Sequence, residues 1–136
     1  MLGIAIIPLI GAAGAAVDYS RANATRAAFQ SALDSAALTL SKTAPTQTPA
    51  DLQAAALKYV NAVFTAPNVK NVTVTASYSN TAGSQLVLDG SATINTDFMS
   101  IFGIDSIDVK TSSTSAWGNT RLRVALVLDN TGSMAS

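Results

Sequence analysis

Apolar side chains fill the first seventeen positions of the chain, from Met1 to Val17, and none of these residues is charged. Seventeen helical residues rise roughly 25 Å, close to the thickness of the hydrocarbon core of a bilayer. The run predicts a membrane-resident helix. A secretory signal with small residues near Gly14, or a buried helix of a soluble domain, would give a similar pattern.

The helical pattern continues beyond the apolar run and becomes one-sided. Apolar residues recur at steps of three and four, which is the spacing of one helix face. They are Ala22, Phe29, Leu33, Ala36, Ala37 and Leu40. No helix breaker stands between Gly14 and Lys42, so we predict one helix from Met1 to Lys42, kinked at Pro8 unless that residue lies in the first turn.

A second helix is predicted to begin at Thr48, which can cap it, with Pro49 in the first helical position and Asp51 near the positive end of the helix dipole. Its apolar stripe follows helical spacing. The stripe consists of Leu52, Ala55, Ala56, Tyr59, Val60, Val63 and Phe64. We expect this stripe to pack on the first helix in a core that includes Phe29, Leu33, Tyr59 and Val63.

After residue 68 the period of the pattern changes from helical to two, which is typical of half-buried strands. Alternation covers residues 72–78, 86–94 and 107–117, with a hairpin loop at residues 80–84. Residues 97–103 predict a short apolar helical turn. The fold class is therefore α+β: a long hydrophobic helix, a second amphipathic helix and a three-stranded antiparallel sheet.

An apolar strand at residues 122–128 leads directly into Asp129, Thr131 and Ser133. This Asp-x-Thr-x-Ser pattern after a strand resembles the opening of a von Willebrand factor A domain. The resemblance implies that the three residues hold a divalent cation, most often Mg²⁺, together with ligands from later loops. Residues 120–136 would be the start of a truncated α/β domain, so we expect this fragment to bind no cofactor by itself.

Eight basic and eight acidic residues cancel, which argues against a nucleic-acid partner. The absence of His and Cys removes imidazole and thiol chemistry and the usual zinc sites. Asp105 and Asp108 could chelate a cation weakly, but they fit the solvated entrance of a strand better. We expect neither catalysis nor a small-molecule substrate.

Three segments together resemble the TadE/TadG-like proteins of Tad (Flp) pilus systems: residues 3–10, residues 14–21 and residues 98–104. Some TadG-like members carry a C-terminal von Willebrand A domain, which accounts for both ends of the chain. The resemblance implies a membrane or assembly helix at residues 1–42, a pilin-like α+β domain at residues 43–119 and an A-domain start at residues 120–136. It further implies an inner-membrane anchor, with the globular part periplasmic or on the cell surface.

The function predicted from these observations is a membrane-anchored, pilin-like structural or assembly protein of a Tad/Flp-type bacterial pilus. One alternative is a metal-dependent adhesion protein whose binding domain lies beyond this chain, and another is a filament subunit packed through its N-terminal helices. The expected partners are membrane lipid, and copies of the chain or other pilus subunits, which would contact the segment from Leu2 to Val17.

No basic residue precedes that segment, so we expect that Met1 is not the native start or that a leader is removed. Tyr19 is a candidate for the membrane interface, and Trp117 for the core.

Overall fold

A computed structural model describes the backbone of residues 2–118 and the side chains of residue 6 and residues 8–118. The first helix, α1, runs without a break over Leu2–Ser41 and includes Pro8. The predicted helix from Met1 to Lys42 is thereby confirmed for the described residues. All six residues of its predicted apolar stripe, from Ala22 to Leu40, are buried.

Among the residues described with side chains, no helix is both long and apolar enough to cross a membrane. The predicted membrane segment from Met1 to Val17 includes residues 1–5 and 7, which lie outside that set. The structure therefore does not confirm the membrane-resident helix, and anchoring stays a proposal.

The second helix, α2, spans Pro49–Val63 and begins as the sequence predicts. The Thr48 hydroxyl accepts a hydrogen bond from the Asp51 N–H at 3.2 Å and donates one to the Asp51 carboxylate at 2.7 Å. These contacts satisfy a backbone donor that the first turn of a helix would otherwise leave without a partner.

Three antiparallel strands form one sheet in the order β1 (Val69–Ser79), β2 (Ser84–Asn95) and β3 (Ser106–Trp117). Both helices pack on the same face, α1 against β2 and β3, and α2 against β1. The α+β class with two helices and a three-stranded antiparallel sheet is confirmed. The predicted A-domain start at residues 120–136 lies outside the described residues.

The core forms where α1 crosses the central strand. A Cβ atom at Gly90 would lie 2.7 Å from side-chain carbons of both Phe29 and Leu33, so only glycine allows this approach. The Phe29 ring also packs against Phe64, with ring centroids 5.0 Å apart. The prediction of Val63 as a core residue is wrong, because its side chain is 51 % exposed. The buried stripe of α2 advances in steps of four through Leu52, Ala56 and Val60 to Phe64, and Val63 lies beside it.

The outer edge of β1 is covered by one side chain of α2. The Gln53 amide accepts a hydrogen bond from the Ala76 N–H at 2.7 Å and donates one to the Val74 carbonyl. This pairing imitates a neighbouring strand, since a strand edge offers alternating N–H and C=O groups.

Candidate functional site

The predicted metal ligands Asp129, Thr131 and Ser133 lie outside the described residues, so their site stays a prediction. Within residues 2–118, no cluster of three or more acidic side chains could hold a metal ion. The Asp108 carboxylate accepts a hydrogen bond from the Thr93 hydroxyl at 2.9 Å, across the β2–β3 pair. Asp105 contributes its backbone carbonyl, which accepts from the Thr96 N–H at 3.0 Å.

Large apolar side chains are exposed together at the end of the molecule where α1 begins. Two segments contribute them: the first half of α1, and the loop of residues 97–104, which contains a 3₁₀ turn at Met99–Phe102. We call this loop the apolar loop and the combined surface the apolar tip. The exposed members are Ile6, Leu9, Ile10, Phe98, Ile101, Phe102 and Ile104.

Two glycines of α1 let the apolar loop lie directly on the helix. A Cβ atom at Gly14 would lie 2.6 Å from Phe98 Cβ, and one at Gly11 would overlap the tip of the Phe102 ring. Ile10, Gly11, Ile101 and the two phenylalanines line a shallow apolar hollow of about 260 Å³. The small residues of α1, which in the sequence resemble a helix-packing face, are thus used within the chain to seat a loop.

Asp18 holds the start of the apolar loop. It is the first residue after the apolar run, and it is 4 % exposed. Its carboxylate accepts hydrogen bonds from the backbone N–H groups of Asp97 at 3.3 Å, Phe98 at 2.8 Å and Met99 at 2.7 Å. No side chain of the 3₁₀ turn caps its own N-terminus. Asp18, which lies in α1, accepts hydrogen bonds from these N–H groups instead.

The protonation state of Asp18 follows from these contacts. Burial acts to raise the pKa of Asp18, whereas the hydrogen bonds from the backbone of Met99, Asp97 and Phe98 and the nearby charge of Arg21 lower it. The lowering contributions prevail, so the pKa lies below its ordinary value of 3.8. Asp18 is therefore ionised at neutral pH, as an acceptor of three N–H groups must be.

Charged and amphipathic groups border the apolar tip on the side of the sheet. Arg21 and Asp97 form a salt bridge at 2.5 Å, and both side chains are about half exposed. Salt bridges as exposed as this one add little stability. The pair therefore serves only to locate the boundary between the apolar tip and the polar, solvent-exposed surface. Tyr19 is exposed at the same level along α1, on another face of the helix, whereas Trp117 is half-buried and stacks on Tyr78 with ring centroids 5.9 Å apart. The structure thus places Tyr19 at this border and Trp117 at the rim of the core.

A hollow of about 560 Å³ lies elsewhere, over the sheet, and is polar. Hydroxyl groups of all three strands line it with the charged residues Arg26, Asp89 and Lys110. The chain has no His or Cys to activate those hydroxyls.

One family model matches the N-terminal part of the chain. Residues 1–39 match the sequence model of the family Tad, described as putative Flp pilus-assembly TadE/G-like. No curated protein and no solved structure matches the chain significantly. The matched segment is nearly the whole of α1, including the part that seats the apolar loop. The match supports a pilus-related role for the chain.

Proposed function

We propose that the chain is a membrane-anchored, pilin-like structural or assembly protein of a Tad/Flp-type bacterial pilus. Its globular part would face the periplasm or the cell surface, with α1 anchored in the inner membrane. The partners would be lipid and other pilus subunits, including copies of the chain, along the segment from Leu2 to Val17.

The observation that carries this proposal is the division of α1 into two halves with opposite roles. The second half lies in the core of the α+β domain, with Phe29 and Leu33 fully buried. The first half exposes aliphatic side chains instead, Leu9 at 73 % among them. A soluble monomer rarely exposes a contiguous apolar surface of this extent. The Tad family match at residues 1–39 falls on the same helix.

A charge in the apolar half tests the anchor. Ala12 is exposed, so A12D leaves the protein core intact. At the centre of a membrane helix an aspartate costs about 2.5–3.5 kcal/mol on insertion scales, or roughly a hundredfold in partitioning. A28D is the matched control, because Ala28 is exposed on the same helix beyond the apolar run. We expect A12D to leave the membrane fraction of expressing cells and A28D to remain there. Equal retention of A12D and the parent chain would contradict the anchor.

A filament subunit is the second candidate. The same exposed aliphatic surface favours it, because α1 helices of neighbouring copies would bury Leu9 and Ile10 just as effectively as lipid. Site-specific cross-linking from position 9 separates the two. Cross-links to another copy of the chain would support the filament, and cross-links to lipid would support the anchored assembly protein. The metal-dependent adhesion protein rests on Asp129, Thr131 and Ser133 and stays a prediction.

A further inference from the structure

The apolar loop exposes apolar side chains to its surroundings, whereas most protein loops expose polar ones. Loops normally expose polar groups to water, because their backbone is not paired by regular structure. Here the exposed side chains are apolar, with Ile101 at 78 % and Phe102 at 59 %. Ser100 is the one polar side chain in residues 98–104, and its hydroxyl donates to the Asp97 carbonyl at 2.8 Å.

Most N–H groups of the loop are hydrogen-bonded within the protein. Asp18 accepts from the N–H groups at the start of the loop, as described above. Further along, the N–H groups of Ile101, Gly103 and Ile104 donate to carbonyls of the same loop at 3.2, 3.0 and 3.1 Å, and the Thr96 hydroxyl donates to the Ile104 carbonyl. Paired N–H groups together with exposed apolar side chains suit a segment that lies in the interfacial region of a bilayer.

The contacts of the loop with α1 show how far the loop lies from the charged residues near Asp18, measured along the helix axis. Phe98 contacts α1 at Gly14 and Phe102 contacts it at Gly11. With Asp18 as the reference, these contacts lie about 6 and 10 Å along a helix that rises 1.5 Å per residue. Segments that lie in a membrane interface bury their apolar face by about 5–10 Å. Arg21, Asp97 and Tyr19 then fall at the level of the headgroups.

We propose that the apolar loop enters the bilayer beside α1, so that lipid acyl chains cover Phe98, Ile101 and Phe102. This inference rests on the proposed anchoring of α1 and adds a second, interfacial contact with the membrane. The loop would fix the rotation and depth of α1, because Asp18 and the two glycines hold loop and helix together. The occupant is lipid and not a second copy of the chain, because the loop lies against the apolar half of α1 and charged and aromatic groups border both at one level along the helix.

Single-tryptophan reporters in the full chain test this inference. Each reporter is placed in a W117F background, which removes the native tryptophan, and is reconstituted with phosphatidylcholine vesicles whose lipids carry bromine near the headgroup or near the end of the acyl chain. I101W reports on the loop and L9W on α1. S77W is the control, because Ser77 is exposed on β1 and pairs with Val87 at the far end of the sheet.

We expect the shallow bromine to quench most of the I101W emission and the deep bromine to quench less of it, while S77W keeps its emission. Quenching of L9W without quenching of I101W would overturn the loop insertion and leave the anchor intact. An emission of I101W that shifts to the blue without quenching would also overturn it, because a protein surface would then cover the loop. Absence of L9W quenching would overturn the anchor and the loop insertion together.

Discussion

Replacing Gly14 by alanine would place a methyl group against Phe98. The new Cβ would lie 2.6, 2.8 and 2.9 Å from Phe98 Cβ, Cγ and Cδ1, whereas carbon atoms in contact prefer about 3.5–4.0 Å. Phe98 Cβ is attached directly to a backbone that Asp18 holds through the Phe98 N–H at 2.8 Å. The loop must therefore move by about 1 Å or give up that hydrogen bond.

Overpacking of this kind typically costs about 1–3 kcal/mol. Alanine is also the better helix former by about 1 kcal/mol, but α1 is helical whether or not the loop is docked, so this gain does not enter the docking equilibrium. A docking cost of that size raises the population of the open loop roughly 5–150-fold.

Amide hydrogen exchange measures the open population directly. We expect G14A to accelerate exchange of the Phe98, Met99 and Ile104 amides by that factor, while amides of the buried strand β2 exchange as before. G11A should have a smaller effect, because its methyl group meets only the tip of the Phe102 ring, at the end of a side chain that can rotate. Unchanged loop exchange in G14A would refute the close seating of the loop on α1.

Three further predictions follow from the core, from Asp18 and from the C-terminal motif. F29A should lower the free energy of unfolding by about 3–5 kcal/mol in chemical denaturation, because Phe29 is fully buried against Phe64, whereas L38A at an exposed position should change it by less than about 0.5 kcal/mol. Docking of the loop lowers the pKa of Asp18. The contribution of Asp18 to the stability of the docked loop is therefore complete above the ordinary pKa of 3.8 and is lost as the pH falls below that value. Loop exchange should accelerate in that range in the parent chain, and D18N should abolish this pH dependence; a step that persists in D18N would assign it to another group. Calorimetry should find Mg²⁺ binding no tighter than about millimolar, and micromolar binding lost in D129A would show an assembled site.

Local periodicity was sufficient to predict most of the fold. The stripe from Ala22 to Leu40 and the alternation in the strands specify which faces are buried, because helix and strand geometry repeat at fixed intervals. Val63 was misassigned because it fits a broad helical stripe, whereas the observed stripe of α2 is narrow and ends at Phe64, where the chain turns toward Phe29.

The organisation of the apolar tip could not be predicted in the same way. Asp18 meets its partners at residues 97–99 across about eighty positions of sequence, and no local pattern relates them. The turn begins near Asp97, as expected, but the carboxylate that accepts hydrogen bonds from its N–H groups is that of Asp18 in α1, while the Asp97 carboxylate pairs with Arg21. Gly11 and Gly14 give α1 a face of small residues, and only the tertiary structure reveals that a loop of the same chain occupies that face.

The continuity of α1 has a mechanical consequence. From Leu2 to Ser41 the helix is unbroken, a rod of about 60 Å whose far half carries Phe29 and Leu33 into the sheet at Gly90. A pull on its first turn therefore reaches the interlocked side chains at Gly90 directly, with no flexible linker to absorb it. The load acts along the helix axis and shears the helix–sheet contact. The chain would resist tension along α1 through the packing of its own core.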